Sequence, residues 1–90
     1  MSPALDIKNL KQLSHHLEPV ILLGAKGLTN AVHQEIQTAL RAHKLIKIKL
    51  SSKDRTEKEK LTRDICEKHE ATLVSQIGHV ITIYKKFDDE

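Results

Sequence analysis

Two runs rich in β-branched residues, Thr72 to Ile77 and Val80 to Tyr84, are separated only by Gly78 and His79. A two-residue loop lets the flanking strands do little but fold back on each other. Glycine at its first position supplies the positive φ of a type II′ turn, so the register of an antiparallel hairpin is written into the spacing. Upstream, Leu45 to Leu50 alternates at period two, with Ile46, Ile48 and Leu50 on one face and Lys47 and Lys49 on the other. That pattern predicts a half-buried strand with a cationic outer face. Pro19 to Leu23 is an unbroken apolar run ending at Gly24, too short for a helix, and it is expected to be a strand buried on both faces.

Helical patterns fill the intervals. Ser2-Pro3 resembles an N-cap followed by proline at the first helical position, and the helix it opens is expected to reach about Leu17 before Pro19 stops it. Leu10, Leu13 and Leu17 share one side of that helix, with Lys8, Lys11 and His15 on the other. Thr29 is placed to cap a second helix that turns Val32, Ile36, Ala39, Leu40 and His43 toward the sheet. His43 is expected to be packed and hydrogen-bonded at its end, and His16 to face solvent. The third helix opens at one of two overlapping capping boxes, Asp54-Arg55-Thr56-Glu57 or Thr56-Glu57-Lys58-Glu59, and extends to about Ala71. Its apolar stripe, chiefly Leu61 and Ile65, is thin, and Glu59/Arg63 and Asp64/Lys68 have the spacing of exposed ion pairs. The order α-β-α-β-α-β-β implies an α/β fold with a mixed sheet and right-handed crossovers. One domain is expected over residues 1–87, followed by an acidic tail, 88–90.

Ninety residues, 39% of them apolar, can bury one modest core. The net charge of +3 is unevenly spread: the first fifty residues hold seven lysines and arginines against three acids. Positive charge in the half that contains the glycine loop suggests a polyanionic partner. The single cysteine, Cys66, rules out an internal disulfide. With no secretory pattern at the start and no membrane-length apolar run, a soluble cytoplasmic monomer without a membrane partner is expected.

Gly24-Ala25-Lys26-Gly27 joins an apolar strand to a helix start. From spacing alone this is either a bare turn or an anion cradle, in which unpaired N–H groups at the helix N-terminus face a phosphate and Lys26 adds a point charge. It is neither a P-loop nor a dinucleotide fingerprint, so no nucleotide cofactor is expected. The neighbours favour the cradle. Lys8, Lys11 and His15 stripe the preceding helix, Thr29 caps the following one, and Lys47 and Lys49 line the next strand, either to contact a ligand or to keep that face soluble.

Catalysis finds little support. The six histidines lack a usual ligand spacing, so no metal is expected, and nothing beside Cys66 would make it a nucleophile. With no acid–base pair and no cofactor loop, neither an enzyme nor a small-molecule substrate is expected. Tyr84 and Phe87 are the only aromatics, too few for a base-stacking platform, and Tyr84 is expected to complete the core.

Three segments in order, LSHHLEPVILLGAKGLT (Leu13 to Thr29), AHKLIKIKL (Ala42 to Leu50) and VSQIGHVITIYK (Val74 to Lys85), resemble the CRM (chloroplast RNA splicing and ribosome maturation) domain in its bacterial single-domain YhbY-like form. The resemblance implies a four-stranded mixed sheet with three helices, similar to the C-terminal domain of translation initiation factor three. It implies RNA binding through Gly24, Ala25, Lys26 and Gly27, supported by nearby basic residues. It also implies a role on ribosomal RNA in precursors of the large subunit, assisting assembly. Lys85 stands where the family's hairpin commonly ends in arginine, keeping the charge without the bidentate fork. The alternative is a protein-interaction module that docks on a ribosomal protein or assembly factor.

Overall fold

The computed structural model describes residues 7–24 and 26–86, with the side chains of residues 7 and 8 outside the description. The expected helix start at Ser2-Pro3, the Lys8 side chain, Ala25, Phe87 and the acidic tail therefore lie outside the described residues.

Seven elements occur in the expected order: α1 (Ile7–Ser14), β1 (Pro19–Leu23), α2 (Asn30–His43), β2 (Leu45–Leu50), α3 (Arg55–His69), β3 (Thr72–Ile77) and β4 (Val80–Tyr84). The four strands form one mixed sheet in the order β1-β2-β4-β3, with β1 parallel to β2 and the other pairs antiparallel. The hairpin is as the spacing dictates. Ile77 pairs with Val80, and Gly78 has φ of 59° while His79 stays at negative φ, the type II′ arrangement.

The larger core lies between the sheet and the two helices α2 and α3. Ile46, Ile48 and Leu50 of β2 and Ile81 and Ile83 of β4 meet Ile36 and Leu40 of α2 and Ile65 of α3. Among the described residues the opposite face is covered by α1, where Leu10 packs with Val74, Tyr84 and Leu45. Tyr84 is thus a core residue, as expected.

This asymmetry corrects three expectations. β1 is an edge strand rather than one buried on both faces: Ile21 and Leu23 face the core, but Val20 and Leu22 are 52% and 66% exposed. The cause is that α1 rests chiefly on β2 and β3, so that among the described residues little covers the outer face of β1. Leu13 is 53% exposed because Ser14, four residues after Leu10, occupies the sheet-facing position. Burial of Ser14 is tolerated since its hydroxyl donates to the Lys11 carbonyl over 2.7 Å. His43, the last residue of α2, is exposed rather than packed, since it lies at the open rim beside Val20 of the edge strand; His16 is exposed as expected.

α3 starts at Asp54, whose carboxylate accepts from the Thr56 amide over 2.9 Å. The capping box is rearranged: Glu57 accepts from the Ser52 hydroxyl over 2.6 Å, and that hydroxyl accepts from the Asp54 amide. Among the described residues the ion pair on this helix joins Arg55 to Glu59 at 3.5 Å, in place of the expected Glu59/Arg63 and Asp64/Lys68 pairs. Both Arg55 and Glu59 are exposed, so the pair contributes little. No helix among the described residues is long and apolar enough to cross a membrane.

On the α1 side, two rows of residues run across the sheet. Pro19, Lys47, Thr82 and Ser75 stand in register across all four strands, and so do Leu22, Lys49, Val80 and Ile77. The second row lies at the edge from which the glycine loop leaves β1.

Candidate nucleic-acid interface

Parallel pairing of β1 and β2 puts their C-terminal ends on the same edge of the sheet, and antiparallel pairing of β2 with β4 brings the hairpin turn there too. Two backbone bonds fasten these loops together: Leu50 N–H to the His79 carbonyl at 2.6 Å, and Ser51 N–H to the Leu23 carbonyl at 3.1 Å. The N-termini of α2 and α3 follow the two strands out of this edge. Helix N-termini present unpaired N–H groups and a partial positive charge, so the edge is suited to anions.

Within the loop, Gly27 N–H donates to the Gly24 carbonyl at 3.1 Å, closing a tight turn, and Thr29 N–H returns to the Gly27 carbonyl. Gly27 sits at φ of 75°, a conformation costly for any side chain, whereas Gly24 has no such constraint. A Cβ built on either glycine meets nothing within 4 Å, so the bend is open rather than occluded. Thr29 is the N-cap, its hydroxyl accepting from the Val32 amide at 3.2 Å. The Gly27 amide is used inside the turn. Among the described residues the amides of Leu28, Asn30 and Ala31 have no protein acceptor, which makes these the donors left for a ligand. Lys26 is exposed at the tip.

The other expected site residues divide between two places. His15 and Lys47 line one concavity of about 220 Å³ on the α1 side of the sheet, with Lys49 exposed in the adjacent row. Lys11 is exposed on α1. Lys85 follows the last strand at the opposite edge, where its amide donates to the Lys44 carbonyl over 2.9 Å, so it does not join the loop. Sequence reasoning missed nitrogen-bearing side chains that the loops bring to the glycine edge: Lys53 and His79 are exposed there, and the Lys58 ammonium donates to the Gly78 carbonyl at 3.3 Å. The signal was present in the βαβ order, since a right-handed crossover between parallel strands makes their C-terminal loops neighbours.

Away from this edge, His33 Nδ1 and His69 Nε2 lie 3.0 Å apart, with one ring donating to the other. Burial, then the neighbouring His33, Lys85 and Lys68, push the pKa of His69 below its ordinary value. Burial raises the Cys66 thiol, opposite to the shift that activates a nucleophile. No group of three metal-ligating side chains occurs among the described residues.

A mixed four-stranded sheet with a strand, Gly-x-x-Gly turn and helix N-terminus on one basic edge defines the class of domain. Residues 5–85 match the CRS1 / YhbY (CRM) domain, and the chain belongs to that family. It is 41% identical over 80 residues to an RNA-binding protein of Haemophilus influenzae, covering 89% of this chain and 81% of the relative. It is 37% identical over 79 residues to the "Probable RNA-binding protein" PA4753 of Pseudomonas aeruginosa, covering 88% and 76%. The fold is similar to the solution structure of a Staphylococcus aureus hypothetical protein proposed to bind RNA, with a TM-score of 0.81 at 25% identity over 99% of this chain and 93% of that one.

Proposed function

We propose that this protein binds RNA without catalysing its conversion, acting on ribosomal RNA in precursors of the large subunit and assisting their assembly in the cytoplasm. The observation that carries the reading is the open glycine turn, where the amides of Leu28, Asn30 and Ala31 have no acceptor among the described residues and lie near the exposed Lys26. Amides and ammonium groups of this kind hold the sugar-phosphate chain and orient it without reading sequence. Family membership and the names of the relatives support RNA as the polyanion. The protein works as a monomer whose RNA-binding unit spans residues 1–87, and it holds a segment of the transcript until that segment folds.

Crosslinking in cells followed by sequencing of the attached RNA tests this. Enrichment of large-subunit ribosomal RNA is expected. Co-sedimentation with pre-ribosomal particles that survives RNA digestion and high salt would instead assign the protein to docking on a ribosomal protein or assembly factor.

A further inference from the structure

Among the described residues, the α1 side of the sheet is only partly covered. α1 packs over the end at Leu45 and Tyr84, Thr82 of the middle row is buried with Lys47 and Ser75 half-buried beside it, and the row nearest the glycine loop is the open one. The row at that edge is largely apolar, with Leu22 66% and Ile77 72% exposed at its two ends and Val80 half-buried between them. Ile77 with its neighbour Val80, and Leu22 across Lys49, give this row an apolar surface that no described residue covers. Charge specifies the partner. Lys49 interrupts the apolar row, and the concavity beside it carries Lys47 and His15 with no carboxylate among the described residues of its lining. A partner that is apolar in its flat faces and anionic along its backbone fits this surface, and an unpaired stretch of RNA has both properties. At about 220 Å³ the concavity is smaller than the ~300 Å³ at which pockets begin to accept drug-sized ligands, so it suits one planar group.

We propose that the open row of the sheet beside the glycine loop receives unpaired bases of the same RNA strand whose phosphates that loop holds. One base lies against Val80 and Ile77 and another against Leu22, on the two sides of Lys49, while Lys49, Lys47 and His15 meet the flanking phosphates. The proposal rests on the RNA-binding reading above and adds a base-dependent component to a contact otherwise made to phosphate.

The test compares an unstructured RNA oligonucleotide with the same oligonucleotide made abasic at successive positions, which keeps the phosphates and removes the bases. Wild-type protein should prefer the base-bearing RNA by roughly tenfold. Leu22→Ser combined with Ile77→Thr should lose that preference while binding the abasic RNA as wild type does. Both residues are exposed and threonine keeps β propensity, so the circular dichroism spectrum should not change; Ile77→Thr alone, with a smaller loss of preference, guards against misfolding of the double variant. Equal wild-type affinity for both RNAs, or a preference that survives in the double variant, overturns the proposal. So does a double variant that binds RNA normally but loses nuclease-resistant association with pre-ribosomal particles, which would make the face a protein dock. Failure of wild-type protein to bind either RNA would instead remove the RNA-binding reading itself.

Discussion

The backbone amide of Leu50 donates to the carbonyl of His79 over 2.6 Å, tying the end of β2 to the turn of the hairpin. Because the next amide, Ser51, reaches back to Leu23 at the start of the glycine loop, one strand end positions loops on both sides of it. The candidate interface is therefore held together by backbone bonds at the edge of the sheet.

Gly24 and Gly27 should respond differently to the same change. Gly27→Ala forces a side chain into the left-handed region and should cost about 1–2 kcal/mol, lowering Tm by several degrees in a domain of this size. Gly24→Ala meets no neighbour and no positive φ, so its thermal unfolding should match wild type within about 0.5 kcal/mol. If Gly24→Ala nonetheless weakens RNA binding, the glycine serves close approach of a ligand. Equal Tm losses for both variants would contradict the assignment.

Thr29 allows the structural and binding roles of the α2 N-terminus to be separated. Thr29→Ala removes the cap on Val32 and should cost about 1 kcal/mol. Thr29→Asp restores a cap, so stability should be retained, but its carboxylate would occupy the anion position and repel phosphate. Loss of RNA affinity with unchanged denaturant midpoint is the expected result for Thr29→Asp. Undiminished affinity would show that phosphate does not approach this helix end.

Stability should depend on pH through His69. Burial, with His33 and the Lys85 and Lys68 ammonium groups, favours the neutral ring in the folded state. As pH falls below the ordinary value of 6.5, the unfolded chain takes up a proton before the folded one does, so stability falls with it. Tm measured between about pH 7.5 and 5.5 should therefore drop on the acid side. The less stable His69→Gln variant should show a flatter dependence, and an identical slope would locate the titration elsewhere.

Much of this architecture was legible because its signals are local. The Gly78-His79 spacing, the Ile46/Ile48/Leu50 alternation and Thr29 before an amphipathic run each depend on neighbours a few residues away. What escaped was set by packing across the sheet. Nothing local distinguishes Val20 and Leu22 from Ile21 and Leu23. Their exposure comes from the edge position of β1 and from where α1 comes to rest. Leu13 and Ser14 exchange roles for the same reason, and a buried serine is invisible to hydrophobic periodicity when its hydroxyl bonds back to its own helix. At the candidate site the glycines and Lys26 could be read directly, but Lys53 and His79 join them only through strand order, and Lys85 parts from them through it.

The most direct measurement is the salt dependence of affinity for single-stranded RNA, made in parallel on wild type and Lys26→Glu. Neutralising about five phosphates gives a slope of log K against log salt of about −3.5. Losing the Lys26 contact should make that slope shallower by about 0.7, with a loss of affinity of roughly tenfold shared by RNAs of unrelated sequence. An affinity indifferent to salt, or a Lys26→Glu variant that binds as wild type does, would contradict phosphate capture at the glycine loop.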